Sequence, residues 1–287
     1  MSTAMKPPSC QRGFTLVELI MVIVIMGVIG GIVSVFMKSP IDAYFASARR
    51  AALTDTADTT VRRMTRDIQR ALPNSIRTPT TTPANQCVEF VPTKTGARYR
   101  AENMAAGDNT SLDFTAADTT FHMLGSNVAL PADQRILAGD VIVVYNLGIP
   151  DSDAYQLTGK INRAVVGGSN PLSEAGAPPE TTIPIASTQF PLASGSNRFH
   201  VVSGAENVVS FVCSGGDLHR TISTFAAAAA TSCPATGPIL ARNVSSCNFD
   251  YSGSDLQRNA LIRMTLQLTD SGETVSLQHE VHVSNTP

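Results

Sequence analysis

The sequence contains no tryptophan, and only 6% of its 287 residues are aromatic. Lys plus Arg number 21 and Asp plus Glu number 23, so the chain has no net positive charge that would attract nucleic acid phosphates. The scarcity of aromatic side chains also leaves little surface on which unpaired bases could stack. We therefore expect no nucleic acid partner.

Motifs of common enzyme and cofactor sites are also missing. There is no Gly-x-Ser-x-Gly, P-loop, His-Glu-x-x-His or dinucleotide-binding glycine string. His279 lies on the apolar face of a predicted strand, which favours a core or sheet-edge histidine over a ligand. Asp140, Asp151 and Asp153 lack the glycine and the acid spacing of an EF-hand, so we favour turns with solvated acids over calcium binding. We expect no catalytic residue, cofactor or metal.

Cysteines are few, and their spacing argues against zinc, because there is no Cys-x-x-Cys and no histidine at ligand spacing. Four of them, Cys87, Cys213, Cys233 and Cys247, predict two disulfides in an oxidising compartment. Three pairings are possible. We favour Cys213–Cys233, which closes a short loop, with Cys87–Cys247 linking distant parts of the chain.

One apolar run is long enough to cross a membrane. Phe14 to Met37 contains a single charged residue, Glu18, and as a helix it would rise about 36 Å against a hydrocarbon core of about 30 Å. Lys6 and Arg12 precede it without an acid, which places the leader in the cytoplasm and the rest outside. A cleavable secretory signal has a shorter apolar core followed by small residues at its cleavage site, so this run does not fit one.

Glu18 is unusual, because an ionisable group at the centre of a span costs about 2.5–3.5 kcal/mol, and less near the interface. It either lies shallow among the headgroups without a role or has a cationic partner. If the chain is cut between Gly13 and Phe14, the new amino terminus lies about one turn from Glu18. The same amine on a neighbouring copy could then pair with the carboxylate.

Gly13, followed by Phe14-Thr15-Leu16-Val17-Glu18 and then Leu19-Ile20-Met21-Val22-Ile23, resembles the class III signal of type IV pilins and type II secretion pseudopilins. The resemblance implies cleavage after Gly13 by a prepilin peptidase, which also methylates the amine of Phe14. It implies that Glu18 docks the subunit into a fibre, with other pilins and the inner-membrane assembly platform as partners.

After the span, apolar residues recur every three or four positions up to Leu72, which predicts an amphipathic continuation of the helix. Its other face carries arginines that we interpret as solvated rather than as a partner-binding patch. Pro40 either kinks the helix or marks its exit from the membrane. Gly27, Gly30 and Gly31 provide either flexibility or close packing.

Beyond the helix the pattern becomes β. Alternation predicts strands at 88–91 and 111–114, in the series 160–166, 198–203, 207–213 and 218–223, and in a C-terminal hairpin over 262–283. The continuously apolar 140–145 suits a strand covered on both faces. Residues 167–197 look like a long surface excursion, and 226–230 like a short helical or loop insert.

The predicted fold is α+β and pilin-like, a long N-terminal helix packed on an antiparallel sheet domain. The predicted segments are a leader (1–13), a transmembrane or fibre-core helix (14–38), its amphipathic continuation (39–72), a Pro/Thr-rich linker (73–86) and a periplasmic β-rich domain (87–287).

The length and the four remaining cysteines are more similar to minor than to major pilins. The finer resemblance is to J-type minor pseudopilins and to minor pilins of mannose-sensitive haemagglutinin (MSHA) pili. It implies a non-enzymatic subunit of a type IV pilus or type II secretion system, held in the bacterial inner membrane before it enters the fibre and acting in fibre initiation near the tip. The alternative is a pilus-borne adhesin or DNA-binding subunit.

Overall fold

The computed structural model describes residues 13–79, 86–228, 233, 237–251 and 259–287. The chain divides into two compact units, Met1–Ala51 and Ala52–Pro287. The fold is α+β, as predicted. It consists of one long helix and several antiparallel sheets.

The helix α1 spans Leu16–Ile68, and Pro40 lies inside it without ending it. It ends four residues before the predicted end at Leu72. The amide of Ala71 still bonds to the carbonyl of Ile68, but the amide of Leu72 donates to Val91 at 2.7 Å. The chain therefore leaves the helix and bonds to the segment after β1 before it reaches Pro73, so the proline is not what ends the helix.

Fourteen strands follow α1 in the described residues. They are β1 (Cys87–Phe90), β2 (Thr95–Arg98), β3 (Asp118–Leu124), β4 (Val141–Val144), β5 (Arg163–Val165), β6 (Glu174–Ala175), β7 (Glu180–Thr188), β8 (Arg198–Val202), β9 (Val208–Ser214), β10 (Asp217–Ser223), β11 (Ile239–Arg242), β12 (Val244–Asp250), β13 (Asn259–Asp270) and β14 (Glu273–Ser284).

The second half of α1 packs against two sheets, which have the strand orders β1-β9-β10-β11 and β12-β13-β14. Ala57, Val61, Met64 and Ile68 are buried at the spacing of three and four that the sequence predicted, and Leu53 extends this stripe by one turn. Complete burial of such a side chain contributes about 1.5–3 kcal/mol. This core lobe, made of α1 from Leu53 with β1 and β9–β14, is the pilin-like part of the fold.

A second lobe is inserted between β1 and β9, which pair directly with each other. Its strands form two sheets, β2-β8-β4-β5 and β3-β7-β6. Antiparallel bridges from Tyr99 to Met123 and from Val166 to Ile185 join these sheets at both sides. Strands β2, β8, β4, β5, β7 and β3 thus close into a barrel, which we call the inserted barrel.

The inserted barrel has its own core, which includes Phe121, Phe199 and Phe190, each fully buried. Strand β4 is covered on both faces, as its continuous apolar sequence predicted. Ile142 packs into the barrel core, whereas Val143 packs into a third cluster with Leu72 and Val208. This third cluster joins the barrel to the core lobe.

Two predictions within the inserted barrel are wrong. Residues 167–197 are not a surface excursion, because they contain β6 and β7 and bury Ile183 and Phe190 in the barrel core. Residues 111–114 form no strand, because Asp113 instead accepts bonds from the amide and hydroxyl of Thr115, each at 2.7 Å. Much of the predicted insert 226–230 lies outside the described residues.

The segment predicted as a linker makes specific contacts where the structure describes it. Arg77 exchanges two backbone hydrogen bonds of 2.9 Å with Glu89, and their side chains form a largely buried ion pair. Asn74 donates to the carbonyls of Asn146 and Asn285. Residues 80–85 lie outside the described part of the chain.

The disulfides are Cys87–Cys233 and Cys213–Cys247, so the favoured pairing is wrong. The reason is the two-residue period of the strands, which separates the faces of a sheet. Cys213 and Cys247 both point into the core between the two sheets of the core lobe, whereas Cys87 belongs to none of the buried clusters. Closeness in sequence did not decide the partners.

Replacing Cys213 and Cys247 by alanine should lower the free energy of unfolding by about 4 kcal/mol, because the pair closes a 34-residue separation in the unfolded chain. Denaturant unfolding of the full chain in neutral detergent measures this loss. Cys10→Ala, in the leader, serves as the control and should change nothing. Non-reduced peptide mapping should yield a peptide linking Cys213 to Cys247, and a peptide linking Cys213 to Cys233 would contradict the structure.

Candidate processing and docking site

The peptide bond between Gly13 and Phe14 lies just outside the helix. Gly13, Phe14 and Thr15 have no helical or strand structure, and α1 begins at Leu16. The side chain of Phe14 is 86% exposed, and a Cβ on Gly13 would meet nothing within 4 Å. A protease can therefore reach this bond without unwinding the helix.

Glu18 lies in the first turn of α1 and bonds to Thr15. Its carboxylate accepts from the amide of Thr15 at 3.3 Å and from the hydroxyl at 3.2 Å. The hydroxyl oxygen of Thr15 accepts in turn from the amide of Glu18 at 3.3 Å. This reciprocal arrangement is a capping box, which satisfies amides that the first turn of a helix leaves without partners.

The capping box gives Glu18 a local partner that our sequence analysis missed. The pattern Thr15-x-x-Glu18 directly before an apolar run is its sequence signature. A carboxylate near the positive end of a helix is also stabilised by the helix dipole, by about 0.3–1 kcal/mol. The acid is therefore held by its own helix end while it has no cationic partner.

The helix that follows is apolar on all sides. Large hydrophobic side chains from Leu16 to Met37 are each about half exposed or more, and α1 is the one helix in the described residues that is long and apolar enough to span a membrane. Gly27 and Gly31, four residues apart, face open space. Small residues at this spacing allow close approach of a second apolar helix.

The aspartates that the sequence analysis considered as calcium ligands do not form one cluster. Asp140 pairs with Lys94 at 2.8 Å and also accepts from the amides of Leu137 and Gly204. Asp153 accepts from the amide of Tyr155, and Asp151 belongs to the same loop. Within the described ranges no group of three potential metal ligands is present.

The arginines on the second half of α1 have different surroundings. Arg62 is exposed and pairs with Asp58 at 2.7 Å, four residues earlier. His279 lies exposed on the predicted apolar face of β14, beside Arg62 and Arg66 in an open groove. Exposed ion pairs of this kind contribute about 0–1 kcal/mol, so they add little to stability.

Residues 8–34 match the family model described as the prokaryotic N-terminal methylation motif. The matched segment contains the exposed bond after Gly13, the capping box and the first part of the apolar helix. No curated protein and no solved structure gives a significant match to the chain.

Replacing Thr15 by valine should loosen the first turn of α1, because the carboxylate of Glu18 loses its hydroxyl donor and the amide of Glu18 loses its acceptor. Loss of such a cap costs about 0.5–2 kcal/mol, which corresponds to roughly 2- to 30-fold faster exchange of the Glu18 amide. Hydrogen exchange of the full chain in lipid nanodiscs measures this rate.

Thr15→Ser is the matched control, because it keeps the hydroxyl and should exchange at the wild-type rate. Equal protection of the Glu18 amide in the valine and serine variants would exclude a role for the capping box.

Proposed function

We propose that this chain is a structural, non-enzymatic subunit of a type IV pilus or type II secretion pseudopilus. The observation that carries the proposal is the methylation motif at residues 8–34, placed on an exposed Gly13–Phe14 bond in front of an apolar helix. A prepilin peptidase and N-methyltransferase removes residues 1–13 and methylates Phe14. The apolar helix holds the subunit in the bacterial inner membrane, with the β-rich domain in the periplasm, until assembly.

In the fibre, Glu18 pairs with the methylated amine of a neighbouring subunit. The capping box supports a two-stage use of this acid. Thr15 holds the carboxylate through two hydrogen bonds while the subunit is in the membrane. An ion pair in an apolar setting gives a stronger, charge-assisted contact, so the amine of a neighbour replaces the local partner when the subunit docks.

The inserted barrel supports a role as a minor subunit. It adds a second hydrophobic core to the pilin-like core lobe. A bulky lobe on every subunit would restrict close helical packing along a fibre, whereas a few copies near the tip are easily accommodated. Because Glu18 is retained, we place the subunit beneath another one in an initiating complex, in an MSHA-like pilus or a type II secretion system. The assembly platform of the inner membrane is its other partner.

A second candidate function is favoured by the same barrel. A separate closed lobe, tied to the core lobe by the β1–β9 pairing, can carry a ligand site without disturbing the part that docks. This is the arrangement expected of a pilus-borne adhesin. The charge balance of the chain and its lack of tryptophan make DNA a poor choice of ligand.

In cells that contain a prepilin peptidase, the mature protein should begin at N-methyl-Phe14. Intact-protein mass spectrometry measures this directly. Gly13→Leu should retain the leader, because a large side chain replaces the exposed glycine, whereas Gln11→Ala should be processed normally. A wild-type chain that keeps Met1 in such cells would contradict the proposed processing.

Glu18→Ala and Glu18→Gln should both reduce incorporation into fibres by about tenfold or more, because losing the charge removes at least about 1.4 kcal/mol of docking free energy. Immunoblotting of sheared fibres against membrane fractions measures incorporation. Glu102→Ala removes an exposed acid outside the span and serves as the control. Unchanged incorporation of the Glu18 variants would exclude the docking role.

Deletion of the whole chain separates the two candidate functions. An initiating subunit should be needed for fibres to form at all, so its loss should leave no fibres in electron micrographs. Normal fibres that fail to adhere would favour the adhesin.

A further inference from the structure

Two arginines lie directly opposite each other on the inserted barrel. In the antiparallel pairing of β2 with β8, Arg98 is in register with Arg198, and both are exposed. Directly opposed residues have Cβ atoms about 4.5–5.5 Å apart, and like charges in that position destabilise a sheet. A bound anion would relieve this repulsion.

Neighbouring cations on the same lobe have an acidic partner. Lys94 pairs with Asp140, and Arg100 pairs with Glu180. In the part of the chain that the structure describes, neither Arg98 nor Arg198 has an acidic partner within ion-pair distance. Arg98 and Arg198 thus differ from these two neighbours, and they are the two arginines in direct register on β2 and β8.

The next residue pair on the same face adds a polar group without a partner. His200 is in register with Gly96, and its Nε2 atom is buried and makes no hydrogen bond. Burial, and secondly the charge of Arg198, lower the pKa of His200 from 6.5 to about 4. The ring is therefore neutral at pH 7 and adds no positive charge beside the two guanidinium groups.

These residues face outward and line one groove. Phe199 and Ala97 alternate with them and pack into the barrel core, so the side chains of Arg98, Arg198 and His200 point away from it. An open groove of about 480 Å³ runs past them and is also lined by Thr93 and Thr95.

Gly96 keeps this groove open beside the histidine. A Cβ at this position would lie 3.5 Å from Nδ1 of His200 and 3.2 Å from the carbonyl oxygen of Phe199. A larger side chain would occupy the space next to the ring.

We propose that this groove is a binding site for an oxyanion group, a carboxylate or sulfate carried by a polar ligand. The two guanidinium groups hold the anion through charge-assisted hydrogen bonds, and the neutral imidazole ring of His200 lies beside them. Binding relieves the repulsion between the arginines. The site does not depend on the proposed role in fibre assembly.

Isothermal titration calorimetry of the full chain in uncharged detergent at low ionic strength tests the site, with sodium sulfate and sodium glucuronate as separate probes. The wild type should bind at least one of them saturably. The double variant Arg98→Gln/Arg198→Gln should bind that probe about tenfold more weakly or worse, because two charge-assisted contacts are lost.

The control is Arg62→Gln/Arg63→Gln, which removes the same charge from the exposed face of α1 and should bind like the wild type. Failure of the wild type to bind either probe at millimolar concentration would overturn the proposal. Equal binding by the wild type and the Arg98/Arg198 variant would also overturn it.

Thermal unfolding gives an independent readout that also checks folding. Without anion, Arg98→Gln should unfold at a higher temperature than the wild type, because the repulsion is gone. With saturating anion, the wild type should gain more than the variant. A variant that is less stable without anion and gains as much from it would contradict the site.

Discussion

The direct pairing of β1 with β9 is the interaction on which the rest of the second unit, Ala52–Pro287, depends. Four register pairs, from Cys87–Val212 to Phe90–Val209, bring together strands that are separated by the whole inserted barrel. The entropic cost of closing a long loop grows only with the logarithm of its length, so a large insertion at one ladder is tolerated. The barrel then offsets its own ordering entropy through a separate core.

Long periodic elements could be predicted from the sequence, and the barrel could not. The hairpin β13–β14 and the buried stripe of α1 repeat the same apolar period over many residues, which leaves little ambiguity. In β7 the inward positions are Thr181, Ile183 and Ile185, but a threonine among them and Pro184 between them conceal the alternation. Barrel closure and the insertion depend on pairings between distant strands, which no local pattern contains.

The candidate site could be proposed from the sequence because its residues are close together in the chain. Gly13, Phe14 and Glu18 lie within six residues. A small residue, an aromatic residue and a lone acid in this order can be recognised in the sequence without knowledge of any tertiary contact. The cap at Thr15 was equally local. The opposed arginines could not be found in the same way, because Arg98 and Arg198 are 100 positions apart and meet only through the register of β2 with β8.

Buried hydrogen bonds join the inserted barrel to the end of α1 and to the C-terminal residues. The side chain of Asn146, next to β4, donates to the carbonyl of Pro73 at 2.7 Å, and Asn74 bonds to both Asn146 and Asn285. Nearby, the Tyr155 hydroxyl donates to the carbonyl of Ser75 at 2.9 Å. Buried hydrogen bonds of this kind are costly to break, because separation leaves polar atoms unsatisfied.

The barrel is thus fixed to the end of α1 and to the C-terminal residues rather than carried on a free tether. Val143 and Val202, packed against Leu72 and Val208, add an apolar contact at the same junction. A ligand bound on β2 and β8 would therefore pull on the core lobe through these contacts.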